Sequence, residues 1–450
     1  METAFSAIDG GNIEFVRFEQ ADINGISRSK IVPARHFARK AIEGVKVDSS
    51  NFVLDPKDER VHGTRYLDDK HDDDVILFPD FGTFLVLPWY PRTARVLTDS
   101  TWKGESTPTS PRHVAKQQLD CLQEMGYTLL SSFAYEFQLV NKETKQPITT
   151  DMMAGATLRN HVNTNFIYEI MRGLHAVGLD VESVESKILP GQLAMPIRPS
   201  SGISGADNGF TFKTAIKEIA QLNGYIASFM TSPYTNTKGH PECVDFNACH
   251  FNHSLWSKRR NKSVLFDDEN RYKLTKIGES WLAGILEHSP AISCFAASTV
   301  NCREQYSDDV SASWDFGKRT SLIHVRVNGE KGTHFEYRLG GAAANPYLFL
   351  AAVVAAGIDG IKRELPLNQP PISEERNKSH GHSDDDAVTI PKKLEKALQA
   401  LERDKTMVSF LGQDLIKHFV AVKRREITTG EIVDKHGEKD VKRRMYFEYI

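Results

Sequence analysis

Leu348–Ile358 reads Leu-Phe-Leu-Ala-Ala-Val-Val-Ala-Ala-Gly-Ile, apolar on every side. A helix without a polar face has to be covered all round, so this stretch demands a large domain built around it. Tyr347–Ile358 is too short to span a bilayer, so the expectation is burial in protein. Its start is well marked, because Asn345 is a good N-cap and Pro346 suits the first helical position. Upstream, Phe335, Tyr337 and Leu339 alternate with Glu336 and Arg338, the pattern of a strand with both charges on one face. Gly340 and Gly341 are expected to break that strand. The charged pair has two readings: a strand salt bridge, or one wall of a site for a metal and an anion.

The remaining sequence sets the size and class of the molecule. Its 450 residues suit one small and one large domain. With 56 basic and 59 acidic residues there is no excess charge for a polyanion, so no nucleic-acid partner is expected. Five scattered cysteines without a C-x-x-C pair fit reduced thiols in an intracellular protein. The N-terminus lacks a secretory pattern, which makes a cytoplasmic protein with no membrane partner the expectation.

In chain order, Ile13–Phe18 and Ile26–Val32 read as strands around the Asn24-Gly25 turn signal, followed by a short helix to about Glu43. Val75–Trp89 and Thr93–Leu97 add strands, and the polar, turn-rich Lys103–Pro111 marks a boundary. This gives a strand-rich domain over 1–105 and a second domain over 106–450. In the second, helices are expected at Pro111–Met125, Ala156–Val177, Phe212–Gln221 and Leu274–Leu286. Strands are expected at Tyr127–Val140, Leu179–Leu189, Tyr225–Met230, Ser321–Val327 and Thr333–Leu339. The last third reads as helices at Asn345–Lys362, Lys392–Arg403 and Val408–Arg424. Ser373–Asp386, with His380 and His382, reads as a polar surface loop, and Lys258–Lys262 as a basic surface turn. No phosphate loop of the P-loop or dinucleotide type is present.

Several segments fall in a telling order: Asp22-Ile-Asn-Gly25 through Pro33, Phe78-Pro-Asp-Phe-Gly-Thr83, Leu87-Pro-Trp89, Leu189-Pro-Gly-Gln192, Phe229-Met230, His250–Trp256, Thr299-Val-Asn301 and Glu336-Tyr-Arg338 with Asn345-Pro-Tyr347. As a series over nearly the whole chain, they resemble the glutamine synthetase superfamily. The resemblance implies an α+β fold, with an N-terminal β-grasp domain and a catalytic-type domain of curved antiparallel sheet plus helices. It also implies a homo-oligomeric ring, a dodecamer, with sites between neighbouring subunits. The implied chemistry is phosphoryl transfer from ATP to glutamate and then attack by ammonia, with two Mg²⁺ or Mn²⁺ ions offsetting phosphate charge.

Matched position by position, the implied site is thinned. Glu136, His250 and Glu336 stand at metal-ligand positions, while Ala134, Ser186 and Ala194 stand where carboxylates are expected. Glu182 and Glu185 are neighbouring substitutes, Glu185 pointing to the opposite face from Ser186. An alanine cannot ligate, and a neutral serine is a poor donor for a hard cation. Gln305 and His324 replace arginines, with Arg303 two residues from the first, and Ser311 replaces a loop glutamate. Arg319 and Arg338 remain as substrate- or phosphate-binding residues. Phe246 puts bulk where the family has glycine, and Asp48 lies near an ammonium-site aspartate. A changed substrate would spare the shared metal and phosphate machinery, and here the losses fall on that machinery. The reading is a divergent member similar to the lengsin branch, which has the fold without ligase activity. It needs no cofactor and has a structural role, with cytoskeletal or other protein partners implied by the resemblance only. The alternatives are an active ATP-dependent glutamate–ammonia or γ-glutamyl-amine ligase, and a nucleotide or amino-acid sensor.

Overall fold

A computed structural model describes residues 2–62, 64, 74–149, 153–160, 164–231, 246–303, 306, 310–318, 320–375, 388–435 and 445–450. Gln305, Arg319, Ser232, Pro233, Asp245, His380 and His382 lie outside the described residues. The fold is α+β, as expected.

Among the described residues, the N-terminal sheet has seven strands. Phe15–Ala21 and Ser27–Pro33 form the expected hairpin, with Gly25 at φ +80° in its turn. Phe15–Ala21 then pairs in parallel with Thr93–Trp102, and Val75–Pro79 runs antiparallel on the far side of that strand. The last strand of this sheet is Glu105–Ser106, and the helix Pro111–Glu124 follows.

Among the described residues, the second sheet has ten strands and curls around the buried helices. At its centre Tyr127–Asn141 pairs with Ala248–Ser257, which pairs with His334–Gly341, which pairs with Ile323–Arg326. On the other flank Gln192–Met195 pairs with Tyr127–Asn141 and with Glu185–Ser186. One sheet face carries Phe133, Tyr135, Phe137, Leu193 and Phe251 into the core, where the aromatic rings pack against Phe212, Phe229 and Phe349. Alternation turns Ala134, Glu136, Ala194 and His250 to the other face.

Three expectations are corrected. Leu179–Leu189 is mostly irregular, with a strand only at Glu185–Ser186. Gly340 and Gly341 do not break the strand but carry it to its end, paired with Cys249 and Ala248. A Cβ on Gly340 would lie 2.2 Å from the Cys249 carbonyl, so the glycine is needed for close approach. Val408–Arg424 is two helices, Lys405–Leu411 and Gln413–Lys435, divided by Gly412 at φ +90°.

The apolar run forms the helix Pro346–Lys362, buried from Pro346 through Gly360. Asn345 caps it, its Oδ1 accepting from Tyr347 N at 3.1 Å. The same side chain donates through Nδ2 to the Asp22 carbonyl at 3.0 Å, so the cap also docks the N-terminal hairpin. Gly357 and Gly360 let the helix Lys276–Glu287 approach: Trp281 lies against Gly357, and Ser280 O would be 2.0 Å from a Cβ at Gly360. No helix among the described residues is long and apolar enough to cross a membrane.

Candidate functional site

Strand pairing sets the site, because directly opposed residues point to the same side of a sheet. His250 opposes Ala134, Glu136 opposes Ala194, and Ala194 opposes Glu185. Farther along, Asn252 opposes Glu336, which opposes His324. The open face therefore gathers Glu185, Ala194, Glu136, Ala134, His250, Glu336, Arg338 and His324. It does not gather Ser186, which opposes Leu193, is 1% exposed and accepts from Gly155 N at 3.1 Å on the core side. The carboxylate brought to this face is Glu185. Glu182 is exposed and lies 3.7 Å from Arg198.

Glu136 is already engaged. Its Oε2 accepts from Gln192 Nε2 at 3.2 Å and Ala248 N at 3.1 Å. The Lys187 ammonium lies 3.8 Å from Glu136 and 3.6 Å from Glu185. It is thus a tethered cation between the two carboxylates of this end of the face.

At the other end Glu336 is buried and surrounded by donors. Arg338 Nη1 donates to Oε1 at 3.0 Å, Arg326 Nε to Oε2 at 3.2 Å, and His250 Nδ1 lies 2.9 Å from Oε1. Burial pushes this carboxyl up, but the His250 hydrogen bond and the charges of His250, Arg338 and Arg326 outweigh it and hold it at about 2. His324 is 3% exposed; its Nε2 lies 2.5 Å from the Phe316 carbonyl, which places the ring proton there, and Nδ1 faces Glu336 at 3.5 Å. Burial lowers its pKa, at a position where the resemblance implies an arginine.

The other singled-out residues lie elsewhere or have local roles. Ser311 opposes Thr389 in a separate two-stranded sheet and is exposed. Arg303 donates to the carbonyls of Ala297, Pro391 and Ser293, so its guanidinium is committed to backbone and does not compensate for Gln305. Asp48 caps the turn Ser49–Phe52 by accepting from Ser50 N at 2.7 Å. Phe246 is half-buried, and its carbonyl accepts from Gln192 Nε2 at 3.0 Å. Lys187 and Arg326 were not singled out in the sequence. Their signal was the period of two, Glu185-x-Lys187 and His324-x-Arg326, which needed the register to be read.

The superfamily implies two divalent ions and ATP, and the donor set can be tested against them. Mg²⁺ and Mn²⁺ need a shell of hard oxygen donors. Here Glu136 and Glu185 share an ammonium, Glu336 is clamped by guanidinium groups, and Ala134 and Ala194 offer nothing. The described residues do not fit a pair of divalent ions. A second acidic cluster, Glu287, His288 and Asp359, is also internally satisfied. Arg363 bridges Glu287 at 2.6 Å and Asp359 at 2.9 Å, and both His288 nitrogens face aspartates.

Residues 108–441 match the family model described as glutamine synthetase, catalytic domain. The chain is 37% identical to human lengsin over 445 residues, covering 96% of this chain and 84% of that one. It is 28% identical to glutamine synthetase of Methanococcus voltae, with 95% of each chain covered. Among solved structures, a novel glutamine synthase homologue superposes with a TM-score of 0.83 at 22% identity, covering 96% of this chain and 99% of that one. Apo GmaS superposes with a TM-score of 0.81 at 24% identity, covering 95% and 96%.

Proposed function

Since the chain belongs to the glutamine synthetase family, we propose that it is a catalytically inactive, lengsin-like member that keeps the fold for a structural or scaffolding role. The observation that carries this reading is the replacement of metal charge by side-chain charge. Lys187 lies within 4 Å of Glu136 and Glu185, and Arg326 and Arg338 close on Glu336. A divalent ion would have to displace these cations and still find too few oxygen donors. Phosphoryl transfer depends on such ions and on arginines, each of which can contribute roughly 10³–10⁵ in rate.

In this reading the protein is a cytoplasmic ring of identical subunits, a dodecamer, and its partners are proteins that dock on the ring. It requires no cofactor. Gln305 and Ser311 belong to the same set of lost positions as Ala134 and Ala194. The test is γ-glutamyl transfer and ATP hydrolysis with glutamate and ammonium, in Mg²⁺ and separately in Mn²⁺. No turnover above background is expected. Turnover that disappears in Glu336→Ala would instead establish a working ligase, and saturable ATP heat without turnover would establish a sensor.

A further inference from the structure

Behind the core face of the large sheet lies a cavity of about 400 Å³, between the N-terminal hairpin, the helix Ser204–Leu222, the strand Tyr225–Ser228 and the C-terminal Glu448 and Tyr449. That volume lies within the range of small-molecule sites, roughly 300–1,000 Å³. We propose that it binds a small phosphate ester.

The charge balance around the cavity motivates this. Arg17 is matched by Glu218, which also accepts from Trp89 Nε1 at 2.7 Å, and Glu448 is matched by Lys145 at 3.0 Å. Lys142, Lys213 and Lys217 also line the cavity, and among the described residues none of them pairs with a carboxylate. Lys213 and Lys217 stand one helical turn apart, so their ammonium groups are neighbours. Lys213 is 4% exposed; its Nζ reaches the Ala344 carbonyl only at 3.5 Å and lies 5.4 Å from the centre of the Phe229 ring. Lys217 lies over the same ring at 5.6 Å. Two like charges over one ring are weakly held, and burying a cation without an anion is costly. Burial accordingly pulls Lys213 down to about 8, and burial together with the Lys213 charge also lowers Lys217.

The ligand class follows from which donors are unengaged. The Arg17 fork, the natural partner of a planar carboxylate, is taken by Glu218. What remains is lysine, a compact point charge suited to a phosphate dianion. Ile26, Tyr225 and Ile226, with Tyr449 at the rim, supply an apolar wall for the ester's carbon portion. The site is separate from the Glu136–Glu336 face, because Lys213 lies over Tyr135, whose side chain points to the opposite side of the sheet. It does not depend on whether the ligase chemistry is lost.

The test is calorimetry and thermal melting of the full chain with phenyl phosphate, inorganic phosphate and benzoate at fixed ionic strength. Phenyl phosphate should bind saturably and raise Tm, inorganic phosphate should bind more weakly, and benzoate should not bind. Lys217→Met should weaken phenyl phosphate tenfold or more. Lys213→Met should do the same if it folds, and Lys217→Gln decides the matter if either methionine variant does not. Equal binding of benzoate, undiminished binding in both Lys217 variants, or no saturable heat would overturn the proposal.

Discussion

Lys187 turns a potential metal ligand set into an internal ion pair. Its ammonium delivers one fixed charge between Glu136 and Glu185, and it does so without ordering further oxygens. Removing it should leave two carboxylates on one face with no cation between them. We therefore predict that Lys187→Ala gains weak Mn²⁺ binding by calorimetry, with none expected for the unaltered protein. No gain would mean that Lys187 is not what offsets these carboxylates. This role could not be read from residue types. Matching along the chain placed a lost carboxylate at Ser186, whereas pairing with Leu193 turns Ser186 into the core and brings Glu185 to the face. Glu336 and Arg338 were legible, since a strict alternation put them side by side. Their partner Arg326 was not, because it reaches Glu336 across a strand pair.

At the scale of elements, the buried helix was legible from end to end, because its apolar run, cap and Pro at the first position all agree. Asn345 carries more than the cap, since its Nδ2 also holds the Asp22 carbonyl. Asn345→Ala should cost about 1–3 kcal/mol by urea unfolding, combining a lost cap with lost buried hydrogen bonds; a loss near zero would contradict the docking role. The central strand Ala248–Ser257 was not read as a strand. Cys249, Phe251, His253, Ser254 and Leu255 are its buried residues, and the polar His253 and Ser254 among them obscured the period of two. His288 joins the helices Lys276–Glu287 and Ser289–Ala296, with Nδ1 2.6 Å from Asp404 and Nε2 3.0 Å from Asp359. Burial lowers its pKa, but the two aspartates outweigh burial and raise it above 6.5. A raised folded pKa stabilises fully below the unfolded value of about 6.5 and is lost as pH rises through the folded value. The stability difference between the unaltered protein and His288→Gln should thus be on the order of 1–3 kcal/mol at pH 6 and shrink on going to alkaline pH. A difference independent of pH would show that the ring is not charged.

For the molecule as a whole, the two-sheet α+β architecture was legible because the order of motifs spans nearly the full chain. The shape of the open face was not, since it depends on register among strands far apart in sequence. A scaffold built on this fold should assemble as a closed ring, and sedimentation should show one large species at micromolar concentration. A monomer would contradict the scaffold reading, because isolated subunits present no repeating surface. Whether side-chain cations have replaced the metals is decided by Mn²⁺ titration of the assembled protein by calorimetry. No saturable binding is expected at the Glu136–Glu336 face. Tight, stoichiometric Mn²⁺ binding that is abolished by Glu136→Ala or Glu336→Ala would contradict that replacement.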